Sequence, residues 1–262
     1  MGADKTMLLL SRVNQLRLLI AALLIIVWQS VASLPSVSKL IVASPMEVLR
    51  ATTSIFLLTN SKVPNFYLHL QRTGYEVFIA YLLVIAVGLP LGIAFGASRR
   101  VADTYEPLLL AYLAFPTVVL FPLIFLIFGS GELSKIVYGV LIGFAYVAFN
   151  AASGVQQVEK GLVDLSRSLG HSRLSTIFKV VLPSAMPTII GGFRLGFGFT
   201  FIGVMVGEII NGSVGLGYLL NWTALSFLTP ELYAIIIISI GVGVAGDSVF
   251  RAAENRLMRW RY

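Results

Sequence analysis

The 262 residues contain no cysteine. That excludes a disulfide framework, a thiolate metal site and a cysteine nucleophile. Histidine is almost as scarce: His69 and His171 stand far apart, no H-E-x-x-H occurs, and no metal site is expected. Charged residues make up 12% of the chain, against about a quarter in ordinary soluble domains. No G-x-x-x-x-G-K-S/T loop is present, so nucleotide phosphates cannot be held in the P-loop manner. The glycine-rich run from Gly212 to Gly217 follows an apolar span rather than a strand and is expected to make a tight outer-side turn. Nothing resembles a nucleophile, base and orienter set, so no catalytic residue is expected.

What the chain has instead is apolar sequence, 57% of all residues. Six runs are long enough to cross roughly 30 Å of hydrocarbon at 1.5 Å per helical residue, at about 16–34, 73–97, 105–128, 134–154, 185–210 and 231–252. The expected fold is therefore all-α, a polytopic membrane protein with about six transmembrane helices. It divides into an N-terminal tail (1–15), a first transmembrane helix (16–34), an outer-side connection with an interfacial helix (35–72), a core of spans with a polar loop at 155–184 (73–254), and a C-terminal tail (255–262). Lys5, Arg12 and Arg17 before Leu18–Val31 have the layout of a signal peptide, but no clear small-residue cleavage site follows, so a retained span is expected. The apolar piece Met46–Leu58 is too short to span comfortably and is assigned to the interface or the bundle surface.

The formal charge of +7 is dispersed over short loops and termini, which argues for topology rather than nucleic-acid binding. Thirteen Lys and Arg fall on one side of the membrane (Lys5, Arg12, Arg17, Arg99, Arg100, Lys160, Arg167, Arg173, Lys179, Arg251, Arg256, Arg259, Arg261), against five on the other (Lys39, Arg50, Lys62, Arg72, Lys135). Both termini and the 155–184 loop are thus expected to be cytoplasmic. Gly88, Gly92 and Gly96 recur every fourth residue, as do Gly192 and Gly196, a spacing that lets helix backbones approach closely. Pro90, Pro116 and Pro122 are expected to kink or open their helices. Arg194 lies inside a span, where it could snorkel, bind a lipid phosphate, fix the loop beneath it or contact an anionic solute. Glu208 and Asp247 are also intramembrane, and the three charges sit at different levels with no evident proton relay.

The polar segment Asp164–Pro183, DLSRSLGHSRLSTIFKVVLP, lies between two spans. It reads as a short amphipathic helix, a turn at Gly170 and a second helix leading to Pro183. Leu165, Leu169, Leu174, Ile177 and Phe178 supply an apolar face, and Arg167, Arg173 and Lys179 supply charge. Gly170 can take positive φ and end the first helix without a Cβ penalty. Amphipathicity alone fits equally an interfacial anchor or a lever on which a partner pushes.

The spacing from Gly170 through Val180 to Leu182-Pro183 resembles the EAA loop, E-A-A-x3-G-x9-I-x-L-P, of binding-protein-dependent ABC importer permeases. Asp164, Leu165 and Ser166 stand where Glu, Ala and Ala are usual. Further segments are similar to the nitrate, sulfonate and taurine branch: Ala43-Ser44-Pro45 with Glu47-Val48-Leu49, Gly88-Leu89-Pro90-Leu91-Gly92, Gly131–Lys135, Asn150, Gly215-Leu216-Gly217-Tyr218 and Arg256–Arg261. At Ala114-Phe115-Pro116-Thr117 the sequence departs from the more proline-rich, basic stretch of that branch. The resemblance implies a type I ABC importer permease fold and a homodimer in a bacterial cytoplasmic (inner) membrane. Its implied partners are two ABC ATPase subunits, a soluble substrate-binding protein and membrane lipid, with no nucleic acid. It implies no cofactor in this chain, ATP and Mg being bound by the partner ATPase. Coupling to that ATPase is expected at Asp164, Leu165, Ser166, Arg167, Gly170, Arg173, Leu182 and Pro183; the substrate pathway is expected at Phe115, Pro116, Asn150, Arg194 and Glu208. The solute expected is a small organic or inorganic anion. The alternative is an ATPase-independent secondary carrier or channel, which should show inverted repeats or intramembrane charge pairs.

Overall fold

The computed structural model describes residues 2–59 and 62–257, so the last five residues of the expected C-terminal tail, and the similarity at Met258–Arg261, lie outside the described residues. Eleven α-helices are described: α1 (Gly2–Ala32), α2 (Pro45–Leu57), α3 (Phe66–Gly96), α4 (Arg99–Ala114), α5 (Phe121–Phe128), α6 (Glu132–Gln156), α7 (Lys160–Ser168), α8 (Arg173–Thr176), α9 (Leu182–Asn211), α10 (Leu216–Leu225) and α11 (Thr229–Leu257). Among the described residues there is no strand. Five helical stretches are long and apolar enough to cross a membrane, and the bent pair Arg100–Ala114 and Thr117–Phe128 makes a sixth if counted as one span. The chain forms two compact units, one from residues up to 66 with 220–238, the other from 67–219 with 239 onward.

In the first unit, residues 38–44 are tied down by side chains on either side of them in sequence. The indole of Trp28 donates to the Ala43 carbonyl at 3.0 Å and stacks on Tyr233, while the Thr229 hydroxyl donates to the Leu40 carbonyl at 2.7 Å. Ser44 then starts α2 with a reciprocal cap: its hydroxyl accepts from the Glu47 backbone N–H at 3.3 Å, and the Glu47 carboxylate accepts from the Ser44 backbone N–H at 2.8 Å. Val48, Ala51 and Ile55 form the buried face of α2. The apolar stretch Asn14–Ala32 of α1 has no buried residue, as expected of a helix surrounded by lipid or by another chain.

The second unit is built on α6, which lies between α3 and α9. A Cβ added at Gly92 would stand 2.5 Å from the Ala148 carbonyl oxygen and the Ala151 Cβ, and one at Gly88 would stand 2.9 Å from the Phe144 carbonyl oxygen. On the other side, a Cβ at Gly192 would meet that of Asn150 at 2.5 Å, and Gly203 faces Gly139. Both glycine ladders therefore bring backbones together where lipid offers no hydrophobic drive for helix association. Between the ladders lie Val84 and Val147, fully buried beside Tyr81.

The opening expected at Pro116 is present, and three other expectations need correction. Within the run at 105–128, α4 ends at Ala114, Phe115 and Pro116 are non-helical, a 3-10 turn covers Thr117–Leu120, and the two parts meet at 82°. Pro116 lacks a donor and holds the residue before it in extended geometry, which accounts for the break; Pro122 sits in the first turn of α5, where its missing N–H costs nothing. Pro90 does not interrupt α3, which continues from Phe66 to Gly96. Finally, α3 begins seven residues before the expected span because polar residues in its first turns are paired within the protein.

Candidate functional site

The loop between α6 and α9 is built around one buried hydroxyl. Ser166, on the inner face of α7, is 3.0 Å from the Thr176 hydroxyl on α8 and 3.2 Å from Nδ1 of His171 in the turn. The His171 backbone N–H donates to the Ser166 carbonyl at 3.2 Å and that of Gly170 to the Arg167 carbonyl at 2.9 Å. Gly170 has φ +80, the left-handed conformation that reverses the chain between α7 and α8. Ser172 caps α8 by accepting from the Ser175 N–H. A π-helical turn, Ile177–Val181, carries α8 into α9, with Pro183 in the first turn of α9. Single π turns inside helices, with their i to i+5 hydrogen bonds, recur at functional sites.

The inner and outer faces of the loop differ sharply in exposure. Val163 and Leu182 pack on the cluster of Ala151, Val155, Val181, Ala185 and Ile189, which joins the loop to α6 and α9. On the outside, Leu165 (58% exposed), Leu169 (69%), Leu174 (68%) and Phe178 (65%) present apolar side chains to solvent, beside exposed Asp164, Arg167 and Arg173. Among the residues expected to contact an ATPase, Ser166 is therefore turned inward and holds the turn, and Leu182 belongs to the core side; Pro183 is exposed. Ile177, expected on the apolar face, is half-buried.

The residues expected along a pathway are not gathered into one place. Phe115 and Pro116 are exposed at the break after α4. Asn150 is half-buried against Gly192, its amide donating to the Tyr146 carbonyl at 2.8 Å. Arg194 is held by Asp247, with Nε 2.9 Å from Oδ1, so these charges form an intramembrane pair rather than scattered single groups. Arg251 binds the other carboxylate oxygen of Asp247 through Nε at 2.7 Å. Glu208 is fully buried: Oε1 accepts from the Thr73 hydroxyl at 2.7 Å and Oε2 from the Gly217 N–H at 2.7 Å.

Glu208 belongs to a buried polar cluster that sequence reasoning missed. His69 Nδ1 accepts from the Gly215 N–H at 3.0 Å and Thr73 Oγ1 from the Leu216 N–H at 2.7 Å, so three successive backbone donors at the start of α10 are satisfied by α3 and α9. Three residues along α3 from Thr73, buried Glu76 receives Arg72 at 3.0 Å and Lys135 of α6 at 3.5 Å, and Arg72 also pairs with Glu132. Arg72 and Lys135 are thus paired on helices, not loop charges. The available signal was the spacing His69, Arg72, Thr73, Glu76, which is i, i+3, i+4, i+7 on one helix face.

A chain whose described residues are helical, with spans of membrane length and a polar loop that carries an exposed apolar row, has the features of a transport subunit that works with a partner. The family described as "Binding-protein-dependent transport system inner membrane component" matches residues 87–259. The taurine transport system permease protein TauC of Escherichia coli is 32% identical over 253 residues, covering 96% of this chain and 91% of its own. SsuC of Bacillus subtilis, named for aliphatic sulfonates transport, is 32% identical over 244 residues, covering 93% and 87%. The formylaminopyrimidine transport permease protein ThiX of Halalkalibacterium halodurans is 27% identical over 239 residues, covering 91% and 93%. Among solved structures, a chain of the inward-facing MetNI methionine ABC transporter aligns with TM-score 0.59 at 21% identity, covering 72% of this chain and 97% of its own. The chain belongs to the binding-protein-dependent transport system inner membrane components, as a type I ABC importer permease of the branch that includes the sulfonate and taurine permeases. It is a transport subunit, and in such systems ATP hydrolysis resides on a separate subunit.

Proposed function

We propose that the loop Lys160–Val181 is the surface on which the ATPase docks, and that its movement drives alternating access in a homodimer of this chain carrying two ATPase subunits. The observation that carries this reading is the contrast between its faces. The inner side is fixed by Ser166, Thr176, His171 and the packing of Val163 and Leu182. The outer side leaves Leu165, Leu169, Leu174 and Phe178 exposed. A partner closing on that row moves α9 directly, because the π turn joins α8 to α9 without an intervening loop. An effector must interact differently with two states to shift them, and an ATPase dimer that opens and closes supplies that difference. Coupling residues on this reading are Asp164, Leu165, Arg167, Gly170 and Arg173 at the surface, with Ser166, Leu182 and Pro183 transmitting.

The cytoplasmic placement of both termini and of this loop is supported by the distribution of Lys and Arg, and more strongly once Arg72 and Lys135 are assigned to ion pairs rather than to outer loops. The anionic class of solute is supported by the relatives named for taurine and aliphatic sulfonates; Arg194 lends it nothing, being engaged by Asp247. Phe115, Pro116 and Asn150 remain the proposed pathway positions, with ATP and Mg bound on the partner.

The test is Leu174→Asp, alone and with Leu169→Asp. Both sites are exposed, so the chain should insert and fold as before, while recovery of the ATPase with the permease falls at least tenfold and uptake falls with it. Undiminished recovery of the ATPase would remove the docking assignment.

A further inference from the structure

The turn that starts α10 does not close itself. The first backbone donors of a helix have no intrahelical partner, and Gly215, directly before α10, has no side chain to offer them. Side chains from two other helices take these donors one after another. His69 Nδ1 of α3 accepts from the Gly215 N–H at 3.0 Å, Thr73 Oγ1 of α3 from the Leu216 N–H at 2.7 Å, and Glu208 Oε2 of α9 from the Gly217 N–H at 2.7 Å. The Thr73 hydroxyl donates in turn to Glu208 Oε1 at 2.7 Å, which ties α3 to α9 as well. His69, Thr73 and Glu208 are all buried. The fit leaves no slack: a Cβ on Gly215, which has φ +126, or on Gly217 would strike the Glu208 side chain.

Each acceptor works in one protonation state. A backbone N–H donates to Nδ1 only where that nitrogen carries no proton, so the imidazole that holds Gly215 is neutral, with its hydrogen on Nε2. Thr73 Oγ1 already accepts from Leu216, so its own hydrogen goes to Glu208, which receives two donors as a carboxylate. A proton added at His69 Nδ1 sets donor against donor and leaves the Gly215 N–H buried without a partner, a large penalty for a single bond. No neighbour replaces the lost acceptor. Among the titratable and charged groups of the packed elements, Tyr218 of α10 stacks on the ring with centroids 5.5 Å apart. Arg72 and Glu76 of α3 and Glu132 and Lys135 of α6 pair with one another.

We propose that His69, Thr73 and Glu208 form a proton-released latch: near neutral pH they hold the 215–217 turn and the start of α10 against α3 and α9, and acid frees the turn by taking the lone pair of His69 Nδ1. In the latched turn that lone pair is occupied by the Gly215 N–H. Once the turn opens, the ring takes a proton at the ordinary histidine value of about 6.5. The open state therefore binds more protons than the latched one, so the latch is fully stable above that value. Its opening constant rises by up to about tenfold for each pH unit below it. Opening releases the start of α10 from α3 and leaves this end of α9 held by fewer bonds. The other end of α9 continues into the coupling loop, so acidity at the latch sets how readily α9 yields when the loop moves. That the latch faces the outside rests on the topology proposed above; the bonds themselves do not.

The experiment is hydrogen exchange read by mass spectrometry on the full-length permease in lipid nanodiscs, with and without its ATPase, after correction for intrinsic rates. It needs neither a solute nor a known orientation, so the latch can fail while the ATPase-docking reading stands, and the reverse. Peptides covering residues 215–220 should keep constant protection from pH 8 to 7 and lose it by up to about tenfold per pH unit below about 6.5. Residues 139–148 of α6 should keep theirs throughout. His69→Gln supplies an amide oxygen that accepts a hydrogen bond and does not titrate, so most of the protection at pH 8 should remain and the acid slope should vanish. Glu208→Gln, which leaves His69 in place, should lower protection at every pH and keep the slope. Flat protection between pH 7 and 5 in the unaltered protein would overturn the proposal without recourse to any variant. So would an undiminished slope in His69→Gln, or an equal slope in α6, which would mark a general loosening in acid.

Discussion

Single residues in this protein are distinguished less by their chemistry than by what meets them. Glu208, Glu76 and Glu47 are all carboxylates on helices, yet the first two are buried and paired across helices while Glu47 closes a local cap. The Ser44 backbone N–H and hydroxyl hold the Glu47 carboxyl below its usual range. A depressed folded-state value means that the stabilisation is fully present above the unfolded value, about 4.3, and is lost as pH falls through the folded value. Hydrogen exchange in α2 should therefore be slow and constant from pH 7 to 5, after correction for intrinsic rates, and speed up below about pH 4; in Ser44→Ala it should be faster throughout, by the ~0.5–2 kcal/mol typical of a lost cap. No acid dependence in the unaltered protein would contradict the cap. Ser44-x2-Glu47 was readable from sequence because both partners lie within four residues. The inward role of Ser166 within the coupling segment was not readable, because its partners, His171 and Thr176, are brought to it only by the Gly170 turn.

At the scale of elements, the long apolar runs announced the spans, and the glycine spacing announced close packing, because composition and period are local properties. The break after Ala114 was legible as a proline signal, though not its angle, which depends on what α4 and α5 pack against. The start of α3 was hidden. His69, Arg72, Thr73 and Glu76 lower its hydropathy, and their partners lie as much as 146 residues away. Likewise α10 was missed, since its first turn is stabilised by side chains from α3 and α9 rather than by its own cap. The glycine ladder gives a paired prediction. Gly92→Leu forces a side chain into Ala148 and Ala151 and should lower thermal stability by about 1–3 kcal/mol or more. Gly241→Leu, with nothing within 4 Å of the added Cβ, should leave it unchanged. Equal melting of the two would refute α3–α6 packing. The coupling turn gives another: Gly170→Val strains a left-handed position with open space around it, so uptake should fall several-fold while expression and span packing persist. Full uptake in that variant would show that the turn is not a lever.

For the molecule as a whole, family membership establishes a permease that depends on separate chains for energy and for solute capture. The secondary-carrier alternative loses its ground with that membership, even though an intramembrane charge pair is present, because Arg194, Asp247 and Arg251 satisfy one another at one end of the helices. Solute choice was not legible in the sequence: relatives of similar coverage are named for taurine, aliphatic sulfonates and formylaminopyrimidine, and of the five pathway candidates Phe115, Pro116 and Asn150 carry no fixed charge while Arg194 and Glu208 are engaged within the chain. The central claim is that Lys160–Val181 couples this chain to an ATPase within a two-plus-two assembly. Gentle extraction of the tagged protein from its native membrane, followed by native mass spectrometry, tests it most directly. The account predicts two copies of this chain with two copies of a P-loop ATPase, and loss of the ATPase alone in Leu174→Asp. A stable chain or dimer that carries no ATPase across several mild detergents would contradict it.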